Sequence, residues 1–185
     1  MSKAYSDLWA EFAPNNHFVQ IYNEEDAFLD TLEGFVSGGL LSGDGVITIA
    51  TGDHSRRLDQ RLLCHGIDPN EERELGNYIT LDAQETLDKF ILEGMPDKAK
   101  FQETIGEVLK EARRHNPRIR AFGEMVAILW AEGKDAATIQ LESLWHDLCH
   151  EKDFSLFCAY PKKVFAESAD YAVQNICDTH SRVIN

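Results

Sequence analysis

The sequence predicts an α/β protein, with a three-layer, mostly parallel sheet carrying helices on both faces. Three observations lead there. Apolar runs of strand length alternate with helically spaced segments along the whole chain. One run, Val46-Ile-Thr-Ile-Ala-Thr51, is rich in β-branched residues. Glycine-rich turn chemistry separates helix from strand, as in Gly38-Gly39 and Ser42-Gly-Asp-Gly45. Strands separated by helices pair in parallel through crossovers that cover both faces.

The elements follow in order. His17-Phe-Val-Gln-Ile-Tyr22 reads as a buried strand, and Glu24 to Gly38 continues with helical spacing at Phe28, Leu32, Phe35 and Val36. After the Val46–Thr51 strand, a helix from Ser55 to His65 carries Leu58, Leu62 and Leu63 on one face, and Gly66 closes it. Tyr78–Leu81 is the third strand, followed by helical segments over Ala83–Leu92 and Ala99–His115. Ile119–Phe122 is the fourth strand, and two helices, Glu124–Ala131 and Ala136–His150, come next. Phe154–Tyr160 is the fifth strand. The remainder reads as a helix and a polar tail, and residues 1–14 as an amphipathic segment with Leu8, Trp9 and Phe12.

Composition excludes several classes of function. The chain of 185 residues has 43% hydrophobic and 27% charged residues, the balance of one folded domain. With 32 acidic and 18 basic residues the formal charge is −14, which opposes binding to nucleic-acid phosphates or an anionic membrane. Arg56-Arg57 and Lys162-Lys163 are isolated pairs and form no basic patch. The polar N-terminus is no secretory signal, and no apolar run approaches the roughly 20 residues that cross a bilayer. Cys64, Cys149, Cys158 and Cys177 are scattered and read as reduced thiols, so the expected compartment is the cytoplasm.

In a parallel sheet, ligands bind beyond the strand carboxyl ends. The first such connection, Tyr22-Asn-Glu-Glu-Asp-Ala27, has no glycine and three consecutive carboxylates where a phosphate loop needs glycines and a Lys-[Ser/Thr] pair. Asn23 is placed to cap the helix, and Glu24, Glu25 and Asp26 suit its positive end. ATP hydrolysis by that route is not expected. Glu124, immediately after a strand, admits two readings: a helix-terminal acid, or a group facing the crevice where strand order reverses. Asp82 admits the same two.

No nucleophile–base pair stands out, and Cys158, inside a buried strand, reads as a core thiol. Trp145, among Leu141, Leu144 and Leu148, reads as core or as a pocket wall. His146 and His150, four apart on one helix beside Cys149, have a spacing that can share a metal. The helix lacks the His-Glu pair of a zincin, and the competing reading is a helix end where the dipole favours histidine. No metal and no cofactor are expected.

Several segments together resemble the MEDS family, the sensory domain of methanogen and methylotroph DcmR-type proteins. They are His17–Tyr22; Phe35 through Gly39-Leu-Leu-Ser-Gly-Asp-Gly45 into Val46–Thr51; Phe122-Gly-Glu-Met125; Leu141-Glu-Ser-Leu-Trp145; and Cys158-Ala-Tyr-Pro161. The resemblance spans residues 15–165 and leaves 166–185 as a C-terminal helix and tail. It implies a RecA/KaiC-like core with a degenerate phosphate loop, and a non-catalytic signalling role. It also implies a small organic ligand and a histidine kinase or DNA-binding regulator as output; the expectation here is a partner acting in trans, or an output lost or encoded elsewhere.

Within that frame, the candidate ligand-binding residues are Tyr22, Glu124, Trp145, Cys158 and Tyr160. His17 is also considered, but lies at the opposite end of its strand from Tyr22 and on the other face. Two alternatives stand beside the sensor. One is an acidic interaction module that binds a partner or another copy of itself without a small ligand. The other is a metal-dependent hydrolase using His146 and His150, or a residual nucleotide-binding protein.

Overall fold

A computed structural model describes residues 16–165, 180 and 182–184. Strand β1 (His17–Tyr22), helix α1 (Glu25–Leu41), strand β2 (Gly45–Ala50), helices α2 (Gly52–Cys64) and α3 (Pro69–Glu74) and strand β3 (Tyr78–Asp82) come in that order. Then come α4 (Ala83–Asp88), the short strands β4 (Ile91–Leu92) and β5 (Met95–Pro96), and α5 (Lys98–Ala112). β6 (Ile119–Gly123), α6 (Met125–Ala131), α7 (Asp135–Lys152), β7 (Ser155–Pro161), a 3-10 turn (Lys162–Phe165) and β8 (Arg182–Ile184) complete the order.

The main sheet has six strands in the order β3-β2-β6-β7-β1-β8, and every pairing is parallel. Because side chains alternate across a strand, each strand feeds two cores. On one face Phe18, Val46, Ala50, Phe122 and Phe157 pack under α1 (Phe28, Leu32, Phe35) and α2 (Leu58, Leu62). On the other, Val19, Ile47, Ile49, Ala121, Leu156 and Cys158 pack against α4 to α7 through Leu87, Phe101, Ile105, Met125, Leu141 and Trp145. The three-layer α/β expectation is met. Strands buried on both faces are what make these segments so apolar in sequence.

Local chemistry explains the boundaries. Gly39 lets α1 close on the sheet: a Cβ there would stand 2.8 Å from Val46 Cγ2. In the turn after α1, Asp44 is buried between Arg118 and Arg120, whose Nε atoms donate to its carboxylate at 2.6 and 2.7 Å. Asp82 and Asp97 cap α4 and α5 by accepting from Glu85 N and Lys100 N, each at 2.9 Å.

Four expectations need correction. α2 begins at Gly52, three residues before the expected Ser55, because Thr51 already accepts from Ser55 N at 2.9 Å. The expected helix over Ala83–Leu92 stops at Asp88, and β4 and β5 form an antiparallel hairpin beyond it. Its two turn residues, Glu93 and Gly94, have φ of 50° and 82°, the left-handed pair that a tight hairpin demands. Asn23 does not cap α1: the N-cap is Glu24, with no side-chain capping bond. Finally, the expected polar tail contains β8, which pairs with Phe18, Val19 and Gln20 of β1. A three-residue strand is too short to show periodicity; it forms because β1 offers it an edge. The segment 1–14 and the expected helix after residue 165 lie outside the described residues.

Candidate functional site

Adjacent strands β2 and β6 send their following helices to opposite faces: α2 packs in the core with α1, and α6 in the core with α7. Their carboxyl ends therefore part and leave the crevice in which such sheets bind ligands. Glu124 sits at that point. Its backbone N–H donates to Ile49 O at 2.9 Å, and its Oε2 accepts from Thr51 N at 2.8 Å. The carboxylate thus bridges the end of β2 to the end of β6, and Glu124 heads α6 without capping it.

His54, in the first turn of α2, completes the arrangement. Its Nδ1 lies 2.7 Å from Glu124 Oε1 and its Nε2 lies 3.0 Å from Glu25 Oε1. Burial alone would lower the pKa of this imidazole, but the hydrogen bonds and charges of Glu124 and Glu25 together raise it. With a carboxylate at each nitrogen, the geometry suits an imidazolium that donates both ways. Arg57 donates to Glu25 at 2.5 Å and to Asp26 at 3.0 Å, so the carboxylates at the start of α1 are engaged by α2.

These groups line a cleft of about 770 Å³. Tyr22, Asn23, His54 and Glu124 make its polar side, Ala127, Ile128 and Ala131 of α6 an apolar side, and Lys162 and Lys163 a cationic rim. Tyr22 stacks on Phe28 with centroids 4.7 Å apart. Burial, then the charges of Glu124 and Glu25, push its pKa up, so the hydroxyl stays protonated. A smaller cleft of about 540 Å³ between α5 and the end of α7 holds Lys110, Arg113, Arg114 and Lys152 and lies away from the strand ends.

The five candidate residues do not share one site. Tyr22 and Glu124 meet in the cleft. Trp145 is fully buried, edge-on to Phe101 at 5.1 Å, and lines neither cleft. Cys158 and Tyr160 point to the other face of the sheet and are fully buried. Tyr160 is hydrogen-bonded through its hydroxyl to Glu142 Oε1. The reason is the alternation of side chains along β7, which sends 158 and 160 away from the face that Tyr22 occupies.

Around Glu142 a second polar group assembles. His17, Glu142, Cys158 and His180 are all buried, and each offers a metal-ligating atom within 4.8 Å of the others. Burial first, then the neighbouring His180, His146 and His150, hold His17 well below the usual histidine pKa. Burial pushes the Glu142 carboxyl and the Cys158 thiol upward. His146 and His150, 4.5 Å apart between ring centroids, are not members of this group, and His150 is exposed. Sequence spacing misses the cluster because its members come from widely separated segments. It also misses His54, although the strand-end rule points to the turn that carries it.

The fold is of the RecA/KaiC type. A KaiC-like protein from the hyperthermophilic archaeon Pyrococcus horikoshii superposes with a TM-score of 0.61 at 12% identity, covering 93% of this chain and 72% of that one. A second protein from the same organism gives 0.61 at 9% identity, covering 97% and 85%. Residues 16–181 match the model of the MEDS family, the methanogen/methylotroph DcmR sensory domain, and the chain belongs to that family. No curated protein sequence matches it. Among the described residues no helix is long and apolar enough to cross a membrane.

Proposed function

We propose that this sensory domain binds a small organic ligand in the cleft between β2 and β6 and passes its state to a partner protein, without catalysis. The observation that carries the reading is the His54–Glu124 pair, set at the strand switch point and facing the apolar side chains of α6. Such a cleft has the mixture that small-molecule sites use, an apolar wall and a few fixed polar groups. Tyr22 would donate from its hydroxyl, and Lys162 and Lys163, in a cleft that Glu24, Glu25 and Glu124 also line, would favour a strongly polar ligand.

Transmission follows from what the polar groups tie together. Glu124 joins the ends of β2 and β6, and Glu25 joins α1 to His54 and Arg57 of α2. A ligand that competes for His54 or Glu124 alters the α1–α2 contact, and that face is where a kinase or transcription regulator would read the change.

A thermal-shift screen of the full chain with short organic acids, amides and alcohols, and with ATP and magnesium, tests the reading. Stabilisation by an organic compound that weakens in Glu124→Gln and Tyr22→Phe is the expected result, since a ligand of the folded state raises the melting temperature by mass action. Stabilisation by ATP with magnesium alone would overturn it in favour of retained nucleotide binding. An organic ligand unaffected by both substitutions would remove the cleft from the site.

A further inference from the structure

We propose that His17, Glu142, Cys158 and His180 form a four-coordinate site for a divalent transition metal of the zinc type, which fastens the segment carrying β8 to the core. The four residues come from the start of β1, the middle of α7, β7, and the residues just before β8. All are buried, with His17 and Cys158 at 0%, Glu142 at 1% and His180 at 9% exposure.

The four ligand atoms lie within 4.8 Å of one another, and three of their separations match the edges of a tetrahedral coordination sphere. His17 Nε2 lies 3.4 Å from Cys158 Sγ and 3.5 Å from Glu142 Oε2, and His180 Nε2 lies 3.5 Å from the same oxygen. Tetrahedral zinc, with bonds of about 2.0–2.1 Å to nitrogen or oxygen and about 2.3 Å to sulfur, places its ligand atoms about 3.3–3.7 Å apart. An N···O separation of 3.5 Å is too long for a good hydrogen bond. Consistent with that, among the described residues no donor lies at ordinary hydrogen-bond distance from Glu142 Oε2, although it is buried and faces two imidazoles and the Cys158 thiol. Leaving a buried carboxylate oxygen without a donor or cation is costly. A metal ion at the shared centre removes that cost.

The donor set selects the metal. Two imidazoles, one thiolate and one carboxylate suit zinc and its borderline neighbours, and four protein ligands close a tetrahedral site as structural zinc sites are closed. The Tyr160 hydroxyl, bonded to Glu142 Oε1, is the outer-shell partner that turns Oε2 to the centre. Half-buried His146, 6.0 Å from His17 between ring centroids, and exposed His150 beyond it make a graded path from solvent. The consequence is mechanical. His17 precedes Phe18, whose register partner in β8 is Arg182, and His180 stands just ahead of Arg182. One ion would pin both strands where their pairing begins.

The test uses the full chain purified under reducing conditions without chelator. Elemental analysis should find about one zinc per chain. After chelation, cobalt(II) should give tetrahedral visible bands and a thiolate-to-cobalt charge-transfer band in the near ultraviolet. Cys158→Ser should abolish the charge-transfer band, and His180→Ala should lower zinc retention even if Cys158→Ser fails to fold. Tyr160→Phe should weaken metal affinity by about 10–100-fold. Folded wild-type protein that carries no metal and gives no thiolate–cobalt band overturns the proposal. So does cobalt absorption lost in His146→Ala/His150→Ala but unchanged in His180→Ala.

Discussion

Glu124 Oε1 lies 2.7 Å from His54 Nδ1, while the other oxygen of the same carboxylate accepts the Thr51 N–H at 2.8 Å. One side chain thus has two tasks: it ties two strand ends together and holds the charge of an imidazole in the cleft.

The first prediction concerns pH. The pKa of His54 is raised above its ordinary 6.5 in the folded protein by Glu124 and Glu25, against the opposing effect of burial. A group raised on folding stabilises the protein fully below its unfolded value and loses that contribution as pH rises through its folded value. The stability difference between wild type and His54→Asn should therefore be largest below pH 6.5 and shrink at higher pH. Urea denaturation across pH, with an NMR titration of the His54 ring, measures both; a midpoint at or below 6.5 would contradict the geometry.

Glu124 itself separates charge from hydrogen bonding. Glu124→Gln keeps an oxygen for Thr51 N but removes the negative charge beside His54, so it should lower the histidine midpoint at modest cost in stability. Glu124→Ala also strips the Thr51 N–H of its acceptor and should cost about 1–3 kcal/mol. Equal stability of the two variants in urea would mean the strand-end bridge contributes nothing.

Trp145 is a core residue. Trp145→Ala should destabilise by about 3–5 kcal/mol through lost burial and the cavity left against Phe101 and Gly123. Trp145→Phe should cost clearly less, because among the described residues the indole Nε1 it removes has no hydrogen-bond partner. Ligand affinity of either folded variant should match wild type; a selective loss of binding would restore Trp145 to the site.

Asp44 is the buried acid between two arginines. Asp44→Ala removes the carboxylate from Arg120, which is itself only 3% exposed, and should cost about 3–5 kcal/mol. Arg118→Ala, at the more exposed partner, should cost about 1 kcal/mol or less. The urea midpoints of the two variants test this ordering.

Much of the architecture is legible in the chain because strands buried on both faces must be apolar throughout. His17–Tyr22, Val46–Thr51, Tyr78–Leu81, Ile119–Phe122 and Phe154–Tyr160 therefore stand out, and each lies in or overlaps a strand of the sheet. The strand-end rule likewise leads to Tyr22 and Glu124. It does not separate them from Cys158 and Tyr160, because a strand's residues share a segment while alternating between faces. β8 and the β4–β5 hairpin escape because two or three residues carry no period.

The sequence by itself determined the layering, the strand positions and the acidic connection after β1, all of which are local consequences of side-chain type and spacing. Only the tertiary structure decided which polar groups meet. His54 reaches Glu124 across 70 residues, and His17 reaches Cys158 across 141. Periodicity reports which face a residue takes within its own element. The distance between residues of different elements is set by strand order and helix packing, which no single segment encodes.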